Sequence, residues 1–177
     1  DNEDELLTIH MQETSDENKL FEKKNGKLLE WLESINASPE IWEKRNNSTD
    51  VLKELGIKRI LMVHNTFSKK EDITDNYYCT CPKANLYIEN FLPDYRIFDP
   101  GKLCVGTDSL ASNDSLSILE ELLIIQKNAD FDLNTLLKIS CKNGAEALGF
   151  EDLGTFEKGK KPGVNLIIDF KEIQVIL

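Results

Sequence analysis

Short apolar runs alternate with longer amphipathic stretches along the chain. Leu6 to His10 reads Leu-Leu-Thr-Ile-His, a strand without alternation; Ser15 to Asn36 then places Leu20, Phe21, Leu28, Leu29, Leu32 and Ile35 at helical spacing. A second unit combines Val51 to Gly56, a short helix closed by glycine, with the continuous apolar strand Arg59 to His64. Lys69 to Asn76 is a polar connection with helical potential. Tyr77 to Cys81 predicts a third strand, stopped by Pro82, and Leu103 to Thr107 a fourth.

Strands that lack polar alternation and are separated by helical stretches predict parallel pairing with both faces covered, so the fold class is α/β. Ser115 to Asn128 predicts an amphipathic helix capped by Asp114 or Ser115, and Leu133 to Leu148 another that closes at Gly149. Gly154 to Gly163 is turn-rich, and Val164 to Phe170 with Ile173 to Leu177 predict a closing pair of strands in a small accessory sheet. No internal repeat competes with this scheme. Four strand units amount to half of an eight-stranded barrel.

Composition narrows the partners. The 177 residues, 40% hydrophobic, are enough for one globular domain with a real core. A formal charge of -11, from 32 acidic and 21 basic residues, argues against nucleic acid and anionic membranes. Asp1 to Glu5 is the opposite of a basic signal-peptide start and reads as a solvated terminus, so the cytosol is the expected compartment. Sequons at Asn36, Asn46, Asn47 and Asn113 would matter only on secretion. Cys79, Cys81, Cys104 and Cys141 form no regular framework and are expected as reduced, buried thiols. The pair Cys79-x-Cys81 is expected to point to opposite faces of its strand, which disfavours a shared metal or redox role. Trp31 and Trp42 are expected to pack on or beside a helix.

The chemistry lies in three segments, each at or just after the end of an apolar stretch: His10-Met-Gln-Glu-Thr14, Met62-Val-His-Asn65 and Val105-Gly-Thr-Asp-Ser109. Two histidines and an aspartate delivered at strand ends are residue types that hold a divalent metal and steer water. Simpler readings stand beside this one. A lone His is more often an ordinary partly buried residue, Gly-Thr-Asp-Ser is good turn chemistry, and Glu13 with Thr14 or Ser15 could cap the first helix. A flavodoxin-like domain would need a Gly-rich turn after its first strand, and His10 to Thr14 is no such turn.

Taken in order, His10-x-x-Glu13, His64, Cys81-Pro82-x-x-Asn85 and Gly106-Thr-Asp-Ser109 resemble the metal-dependent amidohydrolase superfamily. The resemblance is nearest to its aminohydrolase branch, which includes adenosylhomocysteine, guanine and aminofutalosine deaminases. It extends into the tail from Leu153 to Gly163, although Lys161-Pro-Gly-Val-Asn165 departs from the Ala-Asp pair usual there. The resemblance implies a TIM barrel with its active site at the strand C-termini. Residues 1–150 would be its C-terminal half, strands five to eight, and 151–177 the last strands of an accessory sheet. It implies His10 and Asp108 as metal ligands. Glu13 would shuttle a proton between water and the leaving nitrogen, His64 would orient the water, and Asp108 would also accept its proton. Asn85 would face the substrate, and Ser109 and Ser112 would line the substrate pocket or hold Asp108 in place.

The implied cofactor is a divalent metal, zinc first and iron as the alternative, and the implied reaction is deamination of a purine-like nucleoside or a related small molecule. The family also carries a His-x-His pair on strand one, whereas this chain has 2 histidines, both already assigned. The expectation is therefore a C-terminal portion of a longer enzyme, inactive by itself. The alternative is a non-catalytic half-barrel that associates with itself or with a missing N-terminal half.

Overall fold

The computed structural model describes residues 5–37, 43–57 and 59–176; the expectations for residues 1–4 and for Trp42 lie outside them. Four strands, β1 (Leu7–Met11), β2 (Ile60–His64), β3 (Tyr77–Thr80) and β4 (Leu103–Val105), form a parallel sheet in chain order. A separate antiparallel ribbon pairs β5 (Asn165–Ile168) with β6 (Glu172–Val175). No helix among the described residues is long and apolar enough to cross a membrane.

Register decides which residues become core. Ile9, Met62, Tyr78 and Leu103 align across all four strands. They pack with Ile125, Leu136 and Ile139 from the helical layer. Burying each such aliphatic side chain contributes about 1.5–3 kcal/mol. The next row, His10, Val63, Cys79 and Cys104, belongs to the opposite face, because successive strand residues alternate. On that side Thr8 and His10 are exposed, so the expectation that both faces are covered fails for β1.

The helices follow local chemistry. The long helix expected over 15–36 is two: α1 (Ser15–Lys23) ends where Lys24 turns left-handed, and α2 (Lys27–Ser34) restarts after Gly26. The cap of α1 is Thr14, whose hydroxyl accepts the Glu17 N–H at 3.3 Å. Glu13 therefore takes no part in capping. Helix α3 (Ser48–Leu55) starts on Asn47 and stops at left-handed Gly56.

Helix α4 (Pro82–Glu89) was not expected at all. Pro82 stops the strand, yet its fixed φ also suits the first position of a helix. The next helix, α5 (Ile118–Asn128), is capped by Ser117 instead of Asp114 or Ser115; Ser117-x-x-Glu120 is an N-terminal signature in the sequence. Helices α6 (Leu133–Leu137) and α7 (Asn143–Leu148) are joined by a π-helical turn over Lys138–Lys142, and Gly149 closes the run. The Lys69 to Asn76 connection contains a 3-10 turn at Lys70–Asp72.

Three other expectations are corrected. Trp31 is 56% exposed, and Cys141 is exposed, whereas Cys81 and Cys104 are buried and Cys79 is half-buried. Nor do Cys79 and Cys81 point apart. Residues two apart on a strand share a face, and a Cβ added at Gly106 would lie 3.0 Å from Cys79 Sγ and 3.4 Å from Cys81 Sγ.

Candidate active site

At the C-terminal ends of the strands the backbone turns sharply. Gln12, His64, Asn65 and Asp108 all adopt left-handed φ, from 48 to 70°. Such conformations are uncommon for non-glycine residues and cluster where side chains must be aimed.

After β1, His10 and Glu13 approach one another, with Nδ1 and Oε2 3.9 Å apart. From β2, His64 joins them: Nε2 lies 3.4 Å from Glu13 Oε1, and the two imidazoles meet edge to face with centroids 4.7 Å apart. Donor atoms of these three residues all lie within 4.8 Å of one another, close enough to share a metal ion. His64 Nε2 is buried with no hydrogen-bond partner among the described residues. An imidazole nitrogen left so beside a carboxylate fits a metal or a bound water. Its other nitrogen, Nδ1, contacts Asn85 Oδ1 at 2.8 Å. With Asn85 Oδ1 as acceptor Nδ1 is the donor, and this contact turns Nε2 toward Glu13.

Asp108 stands outside that three-residue group. Ser112 Oγ donates to its Oδ2, as does the Ser109 backbone N–H to its carboxylate. Burial raises its pKa, but these hydrogen bonds and the nearby charges of His64 and His10 outweigh it and hold the carboxyl below its ordinary value. Ser109 itself is exposed, with Oγ accepting the Ala111 N–H at 3.3 Å; Ser112 is buried. Asn85 is buried beneath His64, its Oδ1 committed to the ring and its Nδ2 without a partner among the described residues. A cavity of about 690 Å³ lined by Thr66, Phe67, Phe91, Tyr95 and Phe131 includes none of the residues singled out in the sequence.

Sequence reasoning missed the supports. Glu17 accepts the backbone N–H of Gln12 at 2.8 Å and of Glu13 at 3.3 Å, and takes a further hydrogen bond from Ser48. It thereby fixes the turn that aims Glu13. Burial pushes its carboxyl up despite those bonds. Buried Asp72 accepts from Gln12 Nε2 at 3.3 Å, from Asn47 Nδ2 and from the Lys69 N–H at 2.8 Å. On the far side, Glu121 of α5 accepts the Lys83 N–H at 2.8 Å and Asn113 Nδ2 at 2.7 Å; Asn113 also donates to Thr107 O at 2.7 Å. One carboxylate thus joins the first turn of α4, which carries Asn85, to the loop that carries Asp108. The spacing Thr14-x-x-Glu17 was a usable signal for the first support; nothing local marked Asp72 or Glu121.

The amidohydrolase family matches residues 1–174. The chain belongs to that family. A 5-methylthioadenosine/S-adenosylhomocysteine deaminase of Aquifex aeolicus is 30% identical over 189 aligned positions, covering 96% of this chain and 39% of the relative. An aminodeoxyfutalosine deaminase of Nitratiruptor is 26% identical over 172 positions, 92% of this chain and 42% of the relative. The crystal structure of Helicobacter pylori aminofutalosine deaminase superposes with a TM-score of 0.73 at 25% identity, over 89% of this chain and 43% of that one. The parallel α/β sheet is therefore that of the amidohydrolase deaminases, and the chain spans about two fifths of the length of these proteins.

Proposed function

We propose that residues 1–150 supply strands five to eight of the barrel of a metal-dependent aminohydrolase, with 151–177 contributing strands of a small accessory sheet. The observation that carries this reading is the meeting of His10, Glu13 and His64 at the ends of adjacent parallel strands in an amidohydrolase chain. Strand C-termini are where such barrels place their chemistry. The reaction is hydrolytic loss of an amino group from the purine-like ring of a small nucleoside, the substrate type named for the deaminase relatives.

A divalent metal, zinc first and iron as the alternative, would be held by His10 and Asp108 and completed by ligands outside these residues; the meeting of His10, Glu13 and His64 supports a metal at these strand ends. A divalent metal bound there would supply Lewis acidity and lower the pKa of water to about 7. His64, fixed by Asn85, orients the water through Nε2. Glu13 moves a proton from water to the departing nitrogen, and its 3.4 Å approach to His64 supports a shared task. Asp108, kept charged by Ser112 and the Ser109 N–H, accepts the other proton. Ser109 and Ser112 hold that carboxylate beside the substrate, and Asn85 offers its unpaired Nδ2 to the same space.

In the enzyme that contains this chain, Glu13→Gln and Asp108→Ala should each lower kcat for an adenosine-type substrate at least about 100-fold, read as ammonia release, the low end of what a positioned acid or base contributes. Wild-type turnover in either variant would remove these roles. The isolated chain should hold a divalent metal weakly at His10 and Asp108 and turn over nothing, and the enzyme is expected in the cytosol with a small-molecule substrate and no nucleic acid. Exposed Thr8 and His10 on β1 favour a second reading, a half-barrel that functions only by associating with itself or with the rest of the barrel. A monodisperse species of 20.2 kDa in light scattering would count against it.

A further inference from the structure

The face of the sheet opposite the helical core holds a second group of metal-binding atoms, separate from the histidines. Cys79 and Cys104 are register partners on β3 and β4, and Cys81 follows two residues after Cys79, at the start of α4. Gly106 lies across from the first and last of these. The space a side chain would fill there is occupied by sulfur: an added Cβ would sit 3.0 Å from Cys79 Sγ and 3.4 Å from Cys81 Sγ. Glycine at 106 thus lets two reduced thiols share one small space. Cys79 is half-buried and gives access, whereas Cys81 is 2% exposed and shielded from water.

We propose that Cys79 and Cys81 form a two-coordinate site for a soft, thiophilic monovalent cation, Cu(I) in the first instance. Donor type and donor number both lead there. Thiolates select soft ions over magnesium or calcium. Zinc needs four donors in a closed structural site. Among the described residues no third His, Cys, Asp or Glu joins this pair within metal-binding distance; the single group of three is His10, Glu13 and His64. Two sulfurs alone satisfy a cation that accepts two ligands. On binding, both thiol protons pass to solvent while two sulfur–copper bonds form, with no change in oxidation state.

In the empty site the pair is held as protonated thiols, a cost that the bound cation must offset. Cys79 is the main cause of a strong upward push on the Cys81 thiol, with burial adding to it and Asp108 and Glu121 adding less. Two neighbouring thiolates repel one another in this half-dry space. A cation between them turns that repulsion into attraction, the inversion of local pKa logic that bound ions produce.

The test is an anaerobic competition on the reduced chain carrying Cys141→Ser, which removes the exposed thiol, using Cu(I) and a chromophoric Cu(I) chelator. One copper per chain should be withheld from the chelator, excess Zn(II) should not displace it, and X-ray absorption should show two sulfur neighbours. Cys79→Ser and Cys81→Ser should each abolish retention, while Cys104→Ser and His10→Ala should leave it intact. Gly106→Ala, which places a methyl group among the sulfurs, should weaken retention and serves if a cysteine variant fails the circular-dichroism check for folding. Full retention in Cys81→Ser or Gly106→Ala, loss in Cys104→Ser, displacement by zinc, or nitrogen in the copper shell would each overturn the proposal.

Discussion

Asn85 is the side chain on which the orientation of His64 depends. The imidazole is 1% exposed and Asn85 Oδ1 is the partner of its Nδ1. Asn85→Leu preserves the volume and removes the acceptor, leaving a buried N–H unpaired at a cost of about 1–3 kcal/mol. Urea denaturation should show that loss, and a variant as stable as wild type would mean the contact is not held in solution. At this scale the sequence was informative about which residues matter and silent about how they are held. His10, Glu13 and His64 were marked by their place at strand ends. Their supports, Glu17, Asp72 and Glu121, act through contacts between segments far apart in the chain, and no local pattern records such contacts. Cys79 and Cys81 went wrong for a different reason, a misread strand period, since positions two apart fall on one face.

Among elements, the junction of α4, α5 and the Asp108 loop rests on Glu121. Burial raises this carboxyl above its ordinary value of 4.5, outweighing the hydrogen bonds from the Lys83 backbone and Asn113. The folded chain therefore binds the proton more tightly than the unfolded chain. That contribution is complete below pH 4.5 and is lost as pH rises through the folded value. Compared with Glu121→Gln, the wild type should lose stability as pH rises above 4.5, as measured by urea midpoints. A difference that stays constant with pH would show that Glu121 does not titrate in the fold. Strand positions were legible because buried parallel strands need unbroken apolar runs. Helix α4 was not, because it is short and its one strong signal, Pro82, was spent on ending the strand before it. The break between α1 and α2 lies at Gly26, where φ reaches 100°. An apolar period running through that glycine concealed the break.

Across the whole molecule, stability is unevenly distributed. The four-stranded sheet is backed by the helical core, whereas β5 and β6 form a ribbon whose residues are almost all exposed, Ile173 and Val175 included. A two-stranded ribbon is marginal in water without a third strand or a packed face. Hydrogen exchange should therefore release the amides of residues 165–175 well before those of β2 and β3. Equal protection would show that the ribbon has found cover, most simply in another copy of the chain. Each strand of the large sheet pairs with the one just before it in the chain, so no pairing has to wait for a strand made later. On a translating ribosome β2 meets β1 already emerged, β3 meets β2 and β4 meets β3, and assembly can keep pace with synthesis one strand at a time.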